Sequence, residues 1–233
     1  MSVEPVSKPG PPGPLKTGSR SIPVATGNPI VTPERSILKA AWLAVALGIA
    51  IEGSIVATAA LFGGSPAARP VSADLVQKVS WSLLVCVALA VARTASRATA
   101  VAMAGVGLLA APAAFAVARG LHKGMAQALG LVAAAAAAPS PIVLALLKGF
   151  EYALLGLAIG WIARKSWGGL GAHAATGLAA GLLFGVPVLV LSALALPGQP
   201  LAAHAARAIN ELLFPVGCAL VLYASDTLGK RLG

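Results

Sequence analysis

Glu52 and Glu151 each fall near the middle of a long apolar run, and Lys148 precedes Glu151 by one helical turn. A charge at the centre of a bilayer costs about 2.5 to 3.5 kcal/mol on insertion scales, so each of these side chains must face protein or water and find a partner. Lys148 and Glu151 share a helix face and can neutralise each other, whereas Glu52 has no local partner. If the span carrying Glu52 touches the span carrying Lys148, the three groups form a cluster with one surplus negative charge. Such a cluster suits holding a cation or carrying a proton on a carboxylate. It serves equally as glue, with Lys148 bridging two helices through both carboxylates.

A second set of polar groups is smaller in promise. His173 stands one turn before Gly177, and Asn210 and Glu211 precede an internal proline, Pro215. A proline inside a helix frees a backbone carbonyl that neighbours must satisfy, the construction of a broken helix lining a cavity; an ordinary helix start at the interface reads the same way. No pair of histidines has metal-ligand spacing on one helix, and Cys86 and Cys218 lie in apolar runs, so neither a metal site nor a disulfide framework is expected. The strings of familiar enzymes are absent: no GxSxG, no HExxH, no P-loop and no dinucleotide glycine pattern. No cofactor is expected, and no enzymatic activity.

These residues need elements to hold them, and the composition says which. Of 233 residues, 58% are hydrophobic and 10% charged, with a mean hydropathy of +0.88. That is too apolar for a water-soluble domain of this length, and an all-α polytopic transmembrane bundle follows. Seventeen Lys and Arg against seven Asp and Glu give a net charge of +10. The basic residues are scattered between apolar segments like membrane flanks, so nucleic acid is not an expected partner and the lipid bilayer is.

A spanning helix needs about 20 residues. Residues 1–36, rich in Pro and Gly, read as a disordered basic arm without a signal peptide. Seven segments follow at 37–62, 74–92, 98–118, 123–138, 140–163, 171–195 and 205–226, then a basic tail at 229–233. The fourth is short and alanine-rich, which leaves six or seven spans. Ser140 and Pro141 read as an N-cap and first helical position. Trp42, Trp81, Trp161 and Trp167 all fall near segment ends, as an interfacial belt.

Small residues set expectations for packing. Gly177, Gly181 and Gly185 make a ridge on one side of the sixth segment and Gly156 with Gly160 a shorter one on the fifth, so these two neighbours are expected to pack closely. The stretch through Lys78, Arg93 and Pro112 parallels that through Lys148, Arg164 and Pro187, with Lys39 and Gly48 matched to Lys123 and Gly130. Three helices repeated once would enter the membrane in opposite directions, as in many secondary transporters. With seven spans the flanking charges divide almost evenly, and the basic arm favours a cytoplasmic N-terminus at the cell's inner membrane.

Two functions fit. One is a small transporter or permease in which Glu52, Lys148 and Glu151 form a midplane ion or proton site. The other is a non-catalytic subunit or assembly factor whose glycine ridges dock a membrane-protein partner or a second copy of the chain.

Overall fold

The computed structural model describes residues 33–62, 68–95, 99–131 and 140–231. The expected arm before residue 33 and the alanine run from 132 to 138 lie outside them. Six helices make up the described chain: α1 (Pro33–Leu61), α2 (Ala68–Ala95), α3 (Ala100–Ala128), α4 (Pro141–Ile162), α5 (Leu170–Ala195) and α6 (Leu201–Arg231). All six are long and apolar enough to cross a membrane. The chain is a multi-pass membrane protein.

The third and fourth expected segments are resolved differently from the sequence reading. Residues 123–128 continue α3 instead of opening a helix of their own. The stretch around Gly120 and Gly124 contains no proline, and glycine alone does not stop a helix. The stop comes at Gly130, whose φ of 70° is left-handed. There Gly130 N–H donates to Gln127 O (3.0 Å) and Leu131 N–H to Ala126 O (2.9 Å), the paired bonds that close a helix on a glycine. At the other end Thr99 caps α3, accepting from Ala102 N–H at 3.3 Å. Ser140 precedes Pro141 at the start of α4, but its hydroxyl makes no capping bond. The tail expected at 229–233 is helical as far as Arg231.

The helices pack in ring order. α1 lies on α2 and α6, α2 on α3, α3 on α4, and α5 on α6, while α4 and α5 meet only lightly. We call the end where α1, α3 and α5 begin proximal, and the end where they finish distal. The matched segments now fall on α2 with α3 and on α4 with α5. Two helices apart, the copies run in the same direction, and Lys123 to Gly130 is the end of α3, so the inverted arrangement expected from that alignment does not form.

The outside is apolar, and the largely apolar inside also buries charge. Large side chains such as Leu109, Leu154, Leu183 and Leu194 are exposed, whereas Glu52, Lys148, Glu151, His173 and Glu211 are buried. Trp42, Trp161 and Trp167 are exposed, with Lys165 Nζ 4.9 Å from the Trp161 ring centre. Trp81 departs from that belt. α2 starts at residue 68, which makes Trp81 its midpoint, and the indole is buried edge-on against Tyr152 (5.6 Å) and Phe115 (6.4 Å).

Candidate functional site

Lys148 leaves α4 one turn before Glu151, and the two pair at 2.7 Å as their spacing predicts. The same ammonium reaches Glu211 on α6 at 2.6 Å. Both carboxylates therefore share one cation. Glu151 is wholly buried and its second oxygen, Oε1, has no hydrogen-bond partner; the second oxygen of Glu211 accepts weakly from Asn210 at 3.4 Å. Lys148 Nζ commits two of its three N–H donors to these carboxylates and leaves Glu151 Oε1 bare.

Glu52 is not part of this triad. α1 packs on α2 and α6, and Glu52 pairs with Lys78 of α2 at 2.8 Å. The expected third member is replaced by Glu211, which the sequence reading held only as an accessory group. Lys78 was missed because it was read as a flank of a segment starting at 74. With α2 starting at 68 it stands well inside the helix.

Proline and glycine place these groups. Pro215 has no N–H, so the Glu211 carbonyl one turn earlier loses its helical partner. The α5 ridge comes up against that carbonyl: a Cβ on Gly181 or Gly185 would stand 3.3 or 3.4 Å from it. The same construction recurs beside Lys148, where Gly149 of α4 faces the Leu108 carbonyl freed by Pro112 of α3, with a Cβ position 3.1 Å away. A larger side chain at Gly181 or Gly185 would push α5 away from α6, and one at Gly149 would push α4 away from α3. α6 itself starts at Leu201 and is unbroken through Pro215, so Asn210 and Glu211 lie within the helix instead of opening it.

The glycine ridges have other partners than expected. Gly177 and Gly181 press on α6, where a Cβ on Gly177 would stand 2.5 Å from Val216 Cα. Gly156 and Gly160 press on α3, at 2.5 Å from Met103 O and 2.8 Å from Ala100 Cα. They do not face each other, and the longer ridge is covered by the chain's own α6 rather than free for another protein.

A cavity of about 450 Å³ opens from the distal end between α2, α3 and α6 and reaches Lys78, Lys148 and Glu211, with Trp81, Phe115 and Phe214 in its wall. It continues into a wider recess of about 820 Å³ lined by Arg119, His122, Lys123 and Arg207. Asp74 lies on both and pairs with His122 at 3.1 Å. Towards the proximal end the interior closes on Leu89, Leu155, Ile159 and Leu222, all fully buried. Beyond that layer Arg93 of α2 pairs with Asp226 of α6. His173 belongs to this proximal end: its Nδ1 bonds the Gly169 carbonyl at 3.0 Å, its ring lies 5.1 Å from Tyr223, and its buried Nε2 has no partner. It is remote from the triad in its helix.

Among the described residues no three His, Cys, Asp or Glu side chains gather as metal ligands would. Compared with family models, curated proteins and solved structures, the chain matches none.

Proposed function

We propose that the protein is a carrier, not an enzyme, that moves a small solute across the cell's inner membrane and couples that movement to a proton or cation at Lys148, Glu151 and Glu211. The observation that carries this reading is a polar cavity that opens at one end, stops at a buried charge triad midway through the bundle, and is shut off from the other end by an apolar layer and an ion pair. A site reachable from one side at a time is what alternating access requires. Lightly packed α4 and α5 supply a seam along which two parts can rock.

The six-helix count also bears on orientation. Both chain ends then share a side, and Arg35, Lys39, Arg93, Arg164 and Lys165 belong to it. Opposite them Lys78, Lys148 and Arg207 face the cavity, which leaves Arg119 and Lys123 at its rim. That asymmetry favours a cytoplasmic N-terminus and a cavity open away from the cytoplasm. The subunit reading loses its docking ridge to α6.

The test is flux in liposomes holding the purified chain. Glu151→Gln and Glu211→Gln should leave the folded protein intact and abolish coupled uptake. Full flux in both variants refutes the assignment of the triad.

A further inference from the structure

The acids in and beside the cavity are all ion-paired, and Arg207 among its cations is not. Asp74 is held by His122, Glu52 by Lys78, and Glu151 with Glu211 by Lys148. Among the described residues Arg207 makes no ion pair, and its Nη1 is buried without a hydrogen-bond partner. It stands one turn before Glu211 on α6 and lines both parts of the cavity. Arg119 and Lys123 stand at the rim of the same recess.

We propose that the solute is a small organic anion with an apolar body, its charge received by Arg207 and its body by Trp81, Phe115 and Phe214, and that one proton enters with it. This deepens the carrier reading and rests on it for the transport step alone. Arg207 and Lys148 offset Glu151 and Glu211 while the cavity is empty. A bound monoanion adds an uncompensated negative charge in a poorly solvated site, which disfavours its binding. A proton taken from water onto Glu151 or Glu211 removes that charge, and Arg207 receives the anion. Lys148 stays paired with the remaining carboxylate. Proton and anion then cross together without net charge.

Other charged groups face the cavity from α2 and α3. Lys78 pairs with Glu52, His122 faces Asp74 in the wider recess, and Tyr152, Cys86 and Cys218 are buried in the interior. From α5, Glu211 meets Gly181 and Gly185.

The experiment is a titration of the full chain in detergent with benzoate, read by intrinsic fluorescence, with Trp81→Phe locating the signal. Benzyl alcohol and tetraethylammonium serve as the neutral and cationic probes. Benzoate should bind, tighter at about pH 5.5 than at about pH 8, and the two other probes should not. Arg207→Gln should weaken it about tenfold or more, Arg207→Lys should retain most of it, and Glu151→Gln should flatten its pH dependence. Preference for tetraethylammonium, equal binding of benzyl alcohol, or binding that rises with pH overturns the proposal, and needs only the native chain. Benzoate binding without uptake into liposomes would fail the carrier reading and leave the anion site standing; coupled uptake of a cation would do the reverse.

Discussion

Lys148 and Glu211 are separated by 63 residues in the chain and by 2.6 Å in the fold. Their ion pair joins α4 to α6, two helices that otherwise touch only lightly. With Glu151 on its other side, Lys148 holds two acids from two helices at the floor of the cavity. The charge state of that floor therefore decides how firmly the two helices are tied.

Removing the lysine should be far worse than removing the whole cluster. Lys148→Met leaves two buried acids facing each other and should destabilise the protein by about 3 to 5 kcal/mol. Adding Glu151→Gln and Glu211→Gln to Lys148→Met should recover most of that loss in a thermal or denaturant unfolding measurement. Equal stability of the single and triple variants would contradict the shared-cation arrangement.

Glycines that look alike in sequence should behave oppositely. Gly177→Ala puts a methyl 2.5 Å from the Val216 backbone, which forces α5 off α6 and should cost about 1 to 3 kcal/mol. Gly105 has nothing within 4 Å of its Cβ position. Gly105→Ala should be neutral or stabilising by about 0.5 to 1 kcal/mol, since alanine is the better helix former. Unfolding of the two variants side by side checks both signs.

The proximal ion pair should act as a lock. Asp226→Asn removes the carboxylate partner of Arg93, and a pair whose side chains are 19% and 25% exposed contributes about 1 kcal/mol. The buried thiols of Cys86 and Cys218 should then react with a water-soluble maleimide roughly fivefold faster, that energy taken as a change in opening. The swap Arg93→Asp with Asp226→Arg should restore slow labelling. Unchanged labelling in Asp226→Asn would show that the apolar layer alone closes this end.

Reporter fusions distinguish six spans from seven. With six, reporters after Gly130 and after Gly198 fall on one side of the membrane and a reporter after Trp167 on the other. A seventh span between α3 and α4 would put Gly198 on the side opposite the residues that follow α3. Activity of a cytoplasm-dependent reporter after Trp167, and not after the two glycines, also checks the proposed orientation.

Much of the architecture is written in runs of residues. Apolar length, sparse charge and Pro or Gly punctuation identify the α1, α2, α4, α5 and α6 regions, because each helix must satisfy its own backbone in lipid whatever lies beside it. Helix ends are harder. The break read after residue 118 failed because Gly120 and Gly124 only weaken a helix, whereas the backbone turn at Gly130 ends it. Trp81 was misread for the same reason, its helix starting six residues earlier than the apolar run.

The sequence by itself determined that the protein is a multi-pass helical bundle with charges it must bury, and it determined the Lys148 to Glu151 pair, since three residues on a helix place side chains together without help from the fold. Only the tertiary structure decided that Glu52 belongs to Lys78, that Glu211 completes the triad, and that the α5 glycines serve α6. Those choices depend on which helices are neighbours. Neighbours in a bundle are selected by close packing of small residues and by the pairing of buried charges, and both are properties of two helices at once.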